Sequence, residues 1–142
     1  MWEYIHPVIV HFPIALWVAT LFFYFLYAWR NDDFYFRSGR WLHILGVLGG
    51  IAAILSGERD EEKIEEVIEH ISDAYELLER HETLGKITVG IFALLAIGVL
   101  WQRPKGSMRW LLVILTAIAV GILAYQGHLG GTIVYDYLIG NP

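Results

Sequence analysis

Four long apolar runs limit this chain more than any other feature. Near residues 7–29, 40–57, 84–101 and 109–128 lie stretches at or close to the length needed to cross a hydrocarbon core of about 30 Å. In lipid every backbone amide and carbonyl must find its partner inside the protein, so such stretches are helices packed against one another. A hydrophobic content of 56% and a mean hydropathy of +0.50 place the whole chain in the same class. The expected fold is all-α: an integral membrane four-helix bundle, one domain over residues 1–142. The stretch "MWEYIH" carries no positive charge and the first run ends in "YFLYAWR", so no cleaved signal peptide is expected.

The polar residues divide between the two ends of these runs. Arg30, Arg37 and Arg40 flank the first connection and Arg103, Lys105 and Arg109 the third, while the tails carry no Lys or Arg. The positive-inside rule then puts those connections in the cytoplasm of a bacterial inner membrane, with both termini and residues 58–80 outside. Trp29, Trp41, Trp101 and Trp110, one per run, form the expected aromatic belt at the cytoplasmic face. Gly46 and Gly50 form a GxxxG pair in the second run, a spacing that brings a neighbouring backbone close.

Segment 58–82, "ERDEEKIEEVIEHISDAYELLERHE", holds 11 of the 15 carboxylates. Ile64, Val67, Ile68, Ile71 and Leu78 recur in it at helical spacing, which predicts an extracytoplasmic amphipathic helix over about 60–80, between spans two and three. Its acidic face is either a solvated surface, with His70 upon it, or a docking surface for a basic partner such as a soluble cytochrome c. The net charge of −5 and the missing basic surface argue against nucleic acid.

Histidine is the residue that carries chemistry here. The chain has no cysteine, which excludes disulfides, iron–sulfur clusters, thiolate metal sites and covalently attached haem. Counted from the tryptophan belt at 1.5 Å per residue, His11 and His128 each lie roughly 27 Å away and His81 roughly 30 Å. Three helices therefore bring imidazoles to one level, with His6 a turn or more beyond them and His43 alone at the opposite face. Pro7 and Pro13 start the first span, either with a kink after Pro7 or with residues 6–12 irregular around a shaped site. Gly127, Gly130 and Gly131 flank His128 with no side chains, so either a bulky group approaches the backbone there or the glycines cap the helix. Ionisable groups inside a membrane are rare enough that this convergence points to a cofactor or metal site.

"HPVIVHFPIAL" at the start, His81 opening the third span and "GHLGGTIVY" near the end resemble a family of predicted bacterial membrane proteins, domain of unknown function 2231. The resemblance covers essentially the whole chain. It implies a four-span membrane domain, in some members joined to redox modules, and marks His6, His11, His81 and His128 as the functional residues. The acidic insert at 58–80 is not part of that pattern.

Three functions fit these residues. The first is an electron-transfer subunit holding haem b between imidazoles of facing helices, with His11 and His128 as the level-matched pair and His81 a substitute for either. Such a subunit exchanges electrons at its outer side with quinol, a cytochrome or a larger redox complex, with Glu82, Tyr135 and Asp136 as candidate proton acceptors for a quinol. The second is a bare zinc, copper or iron site formed by His6, His11, His81 and His128 for transport or sensing. The third is a structural anchor whose histidines only hydrogen-bond across helices, within a homo-oligomer or a larger complex. No Ser–His–acid or zinc-protease spacing is present, so an accessory or electron-transfer role is expected rather than catalysis.

Overall fold

The computed structural model describes residues 5–68 and 71–139, and these are helical almost throughout, with no strand among them. The helices are α1 (His6–Ile9), α2 (His11–Arg30), α3 (Asp33–Ile68), α4 (Ser72–Trp101) and α5 (Met108–Thr132), followed by a π-helical turn, π1 (Ile133–Ile139). Four segments are long and apolar enough to cross a membrane: His6–Arg30, Asp33–Glu61, Asp73–Trp101 and Met108–Tyr137.

Local chemistry explains where these helices begin and end. Pro7 lies in the first turn of α1, where its missing N–H costs nothing, and Val10 joins α1 to α2 in a right-handed conformation. Residues 6–12 are thus helical, with the break at Val10. Asn31 closes α2 in the left-handed conformation at φ 53°, its amide bonding to the Tyr27 carbonyl. Asp32 then accepts the Phe34 amide at 2.8 Å and starts α3 at Asp33. The second span therefore opens well before residue 40.

Each helix packs on two neighbours, α2 and α4 both lying between α3 and α5. Without water to expel, helices in lipid are held by close packing and hydrogen bonds. Close packing comes from a glycine row on α3. A Cβ at Gly46 would collide with Trp17 Nε1, and one at Gly39 would stand 2.7 Å from the Tyr24 ring. Gly50 faces the far side of the same indole at 2.7 Å, so the GxxxG pair is the bed of Trp17. Trp17 in turn stacks on Phe92 of α4, with centroids 4.0 Å apart and planes within 4°. Tyr24, Tyr27, Phe36, Val99 and Leu112 fill the end of the bundle that carries the basic loops.

The acidic segment is not one helix laid over the bundle. It is the outer part of α3 and the first turns of α4, which meet near Ile71, where the backbone is extended. Of the apolar positions expected there, Ile64, Ile71 and Leu78 cluster with Ala74 and with Ile133 and Tyr137 of π1, and the side chains of Val67 and Ile68 lie outside the described ones. His70 falls outside the described residues. We call this the acidic end and the opposite one the basic end.

Candidate functional site: a buried histidine pair at the acidic end

The position of His6 is set by a carboxylate from another helix. Asp60 of α3, only 1% exposed, accepts the amides of Ile5 at 2.7 Å and His6 at 2.9 Å through Oδ2. The first amides of a helix have no partner within it, and a buried carboxylate is the strongest group to supply one. Asp60 Oδ1 is buried with no partner among the described residues.

The ring of His6 then turns toward α3. Its Nδ1 lies 2.8 Å from the Ala53 carbonyl and 3.2 Å from Ser56 Oγ, which itself donates to Ala53. A carbonyl only accepts, so Nδ1 carries the proton and Nε2 holds the lone pair. Gly57 makes the room, since a Cβ there would lie 3.2 Å from His6 Cε1.

His81 of α4 repeats the arrangement against α5. Its Nδ1 donates to the Gln126 carbonyl at 3.0 Å, and the Gln126 side-chain amide approaches Nε2 at 3.3 Å. A Cβ at Gly130 would stand 2.7 Å from His81 Cε1, so only glycine fits that position unless the ring moves. The two imidazole centroids lie 6.3 Å apart with planes at 89°. Four chain segments thus meet here: α1 brings His6, α3 Asp60 and Ser56, α4 His81 and α5 Gln126.

Charged groups border the pair. Glu82, next to His81, pairs with Lys86, which also reaches Glu58 of α3 at 3.4 Å. This network ties the outer parts of α3 and α4 together beside the site.

The other sequence candidates stand elsewhere. His11 is exposed and bonds through Nδ1 to the Pro7 carbonyl of its own segment. His128 is also exposed. Helical rotation accounts for both. Five residues turn a helix by roughly 140°, so an inward His6 leaves His11 facing out, and two residues turn it roughly 200°, so Gly130 against His81 leaves His128 facing out. The pair that meets is His6 with His81, not the level-matched His11 and His128, because azimuth decides which side chains face each other. Gly127 and Gly131 face open space, and of the three glycines only Gly130 touches a histidine. Tyr135 and Asp136 are exposed on π1, and Glu82 lies beside His81 in the ion network. Among the described residues no group of three or more His, Asp or Glu is arranged to hold a metal ion.

His43 is the residue that counting from the tryptophans misplaced. It is fully buried, because α3 starts at Asp33 and carries it into the bundle. Its Nε2–H donates to the Phe92 carbonyl at 2.9 Å, and its Nδ1 accepts the Tyr24 hydroxyl at 3.1 Å. Only the neutral Nε2–H form satisfies both bonds. The capping pair Asp32–Asp33 was the available signal that the helix begins early.

The model of one family, described as a predicted membrane protein (DUF2231), matches residues 3–142, and the chain belongs to that family. No curated protein and no solved structure matches the chain.

Proposed function

We propose that this chain is a membrane electron-transfer subunit in which His6 and His81 are the axial ligands of one b-type haem. The observation that carries the reading is the tautomer and spacing of the pair. Ligating histidines characteristically donate their second ring nitrogen to a carbonyl, which fixes the ring and strengthens the ligand, and both rings here do so. At a nitrogen–metal bond of about 2.0–2.1 Å, two imidazoles on opposite sides of one ion put their centres roughly 6 Å apart. The observed separation of 6.3 Å equals that distance, with the Gln126 amide now occupying His81 Nε2. Two imidazoles are also a sufficient protein donor set for haem, whose macrocycle supplies the other nitrogens, whereas a bare ion wants more ligands than the described residues gather here.

The group would supply one-electron chemistry. The chain's residues would hold its place: Asp60 anchors the backbone of His6, Ala53 and Gln126 fix the ring protons, and the Gln126 side-chain amide, 3.3 Å from His81 Nε2, would have to leave that lone pair. The basic loops support an orientation with the acidic end outside the cytoplasm, where the carboxylates of α3 and α4 favour a basic electron-transfer partner.

A second reading has its own support. The bonds from His6 to α3 and from His81 to α5 join helices, which is what a purely structural anchor would need. The two readings separate in a reduced-minus-oxidised spectrum of detergent-purified protein, taken with pyridine haemochrome and elemental analysis. A b-type α-band near one haem per chain supports the haem reading. A flat spectrum with stoichiometric zinc, copper or iron replaces it with a metal-ion site, and a flat spectrum without metal leaves the structural anchor.

A further inference from the structure

A run of aromatic rings through the bundle is left unused by the proposed ligation. Trp17 of α2 stacks on Phe92 of α4, the Phe92 ring meets His43 of α3 with centroids 5.6 Å apart, and His43 meets Tyr24 of α2 at 5.8 Å. Tyr24 leads on to Phe36 at 6.4 Å, and Phe36 to Tyr27 at 5.0 Å. The four rings from Trp17 to Tyr24 are at most 1% exposed. Trp17 and Tyr24 lie two turns apart on α2, roughly 10 Å along the axis, within reach of direct electron tunnelling.

These rings differ in where a proton can go when an electron leaves. The Trp17 indole N–H is buried with no acceptor among the described residues, so an oxidised Trp17 keeps its proton and its positive charge and remains a strong oxidant of its neighbours. Tyr27 donates to the Pro104 carbonyl, which accepts a hydrogen bond but is no base, and the guanidinium groups of Arg103 and Arg109 lie over its ring at 5.2 and 5.8 Å. Positive charge is unfavourable there. Tyr24, by contrast, donates to a base. His43 Nδ1, 3.1 Å from its hydroxyl, holds the ring's lone pair because Nε2–H is committed to the Phe92 carbonyl.

We propose that Tyr24 and His43 form a proton-coupled redox pair, the resting place of oxidising charge that enters the bundle at Trp17. Trp17, converted to its radical cation by an outer-sphere one-electron oxidant, takes one electron from Tyr24 while the phenolic proton moves to His43 Nδ1. An O–H bond breaks, an N–H bond forms, and the products are neutral Trp17, a neutral tyrosyl radical and a His43 imidazolium. The positive charge is moved, not created. Both hydrogen bonds survive, since Nδ1–H then donates to the tyrosyl oxygen and Nε2–H still donates to Phe92. No buried polar group of the pair is left unpaired, so the transfer needs no rearrangement. Nothing in this step rests on the haem reading, because the oxidant acts from outside the chain.

Flash photolysis of the full chain in detergent with tris(bipyridine)ruthenium(II) and a sacrificial electron acceptor supplies the oxidant, and samples frozen after the flash are read by high-field electron paramagnetic resonance. The wild type should give a tyrosyl radical hydrogen-bonded to an imidazole, with a coupling that changes when the histidine nitrogens are isotope-labelled. Tyr24→Phe should abolish that signal, His43→Gln should abolish the histidine coupling, and Trp17→Phe should slow the appearance of the radical. Tyr125→Phe, at a half-exposed tyrosine, should leave it unchanged. Thermal melts keep folding in view, and Tyr24→Phe, which removes only a hydroxyl, carries the test with the labelled wild type if His43→Gln or Trp17→Phe unfolds. A signal that persists in Tyr24→Phe, a tyrosyl radical without histidine coupling, a radical confined to tryptophan, or an unchanged rate in folded Trp17→Phe would each overturn the proposal.

Discussion

A single methyl group separates the glycines that matter from those that do not. Gly130 abuts the ring of His81, whereas Gly131 faces open space. Gly130→Ala should push the imidazole aside, lower the melting temperature by the equivalent of about 1–3 kcal/mol and, on the proposed reading, reduce the haem content. Gly131→Ala should stay within about 0.5 kcal/mol of wild type and keep the haem. Differential thermal unfolding with absorbance on the same samples reads both. Asp60→Ala should remove the cap from the His6 and Ile5 amides and cost about 1–2 kcal/mol in the same assay. At His43, Tyr24→Phe deletes the hydroxyl that satisfies Nδ1. Interhelical bonds in membranes average about 0.6 kcal/mol, so a small loss without any spectral change is expected, which would separate this buried histidine from the ligand pair.

Helix α3 shows what sequence patterning could and could not deliver at the level of the element. The GxxxG pair announced a close backbone, but what it receives is the indole of Trp17. Gly46→Leu should therefore break the α2–α3 contact and leave little folded protein in detergent, measured by size-exclusion recovery, while Gly90→Leu, on open surface, should be tolerated. The start of α3 was harder to read, because hydropathy rises only after the polar residues of its first turns. Asp32 and Asn31 set the turn by local hydrogen bonds, and hydropathy is blind to those. The acidic segment was legible as amphipathic from its spacing. Its division between α3 and α4 was not, since no Gly or Pro marks the break near Ile71 and its apolar face is covered by the distant residues Ile133 and Tyr137.

On the scale of the whole molecule, the chain is a bundle with an acidic end that gathers two histidines and a basic end that gathers arginines. The number of spans followed from the sequence because a bilayer crossing demands long apolar helices. Their lengths did not, since Asp33–Glu61, Asp73–Trp101 and Met108–Tyr137 all run well beyond the apolar runs and leave Trp41 two turns inside α3. The same ruler set His6 a turn beyond His81, whereas the two rings lie 6.3 Å apart. The pairing of the histidines was not legible either, because rotation about each helix axis depends on tertiary packing, here the glycine row under Trp17 and the Asp60 cap on His6. If the acidic ends of α3 and α4 receive a basic electron-transfer partner, electron exchange with such a protein should slow steeply as salt rises from 10 to 200 mM, because the Debye length shrinks from about 30 Å to below 8 Å. Stopped-flow absorbance would follow it, and a salt-independent rate would remove charge steering.

The most direct measurement of the central claim compares four single variants by the reduced α-band of purified protein: His6→Ala, His81→Ala, His11→Ala and His128→Ala. The account predicts that the first two lose the haem while the last two retain it at wild-type stoichiometry. Loss of the band in His11→Ala and His128→Ala, with the band intact in His6→Ala and His81→Ala, would contradict it and place the ligands on the outer surface of the bundle.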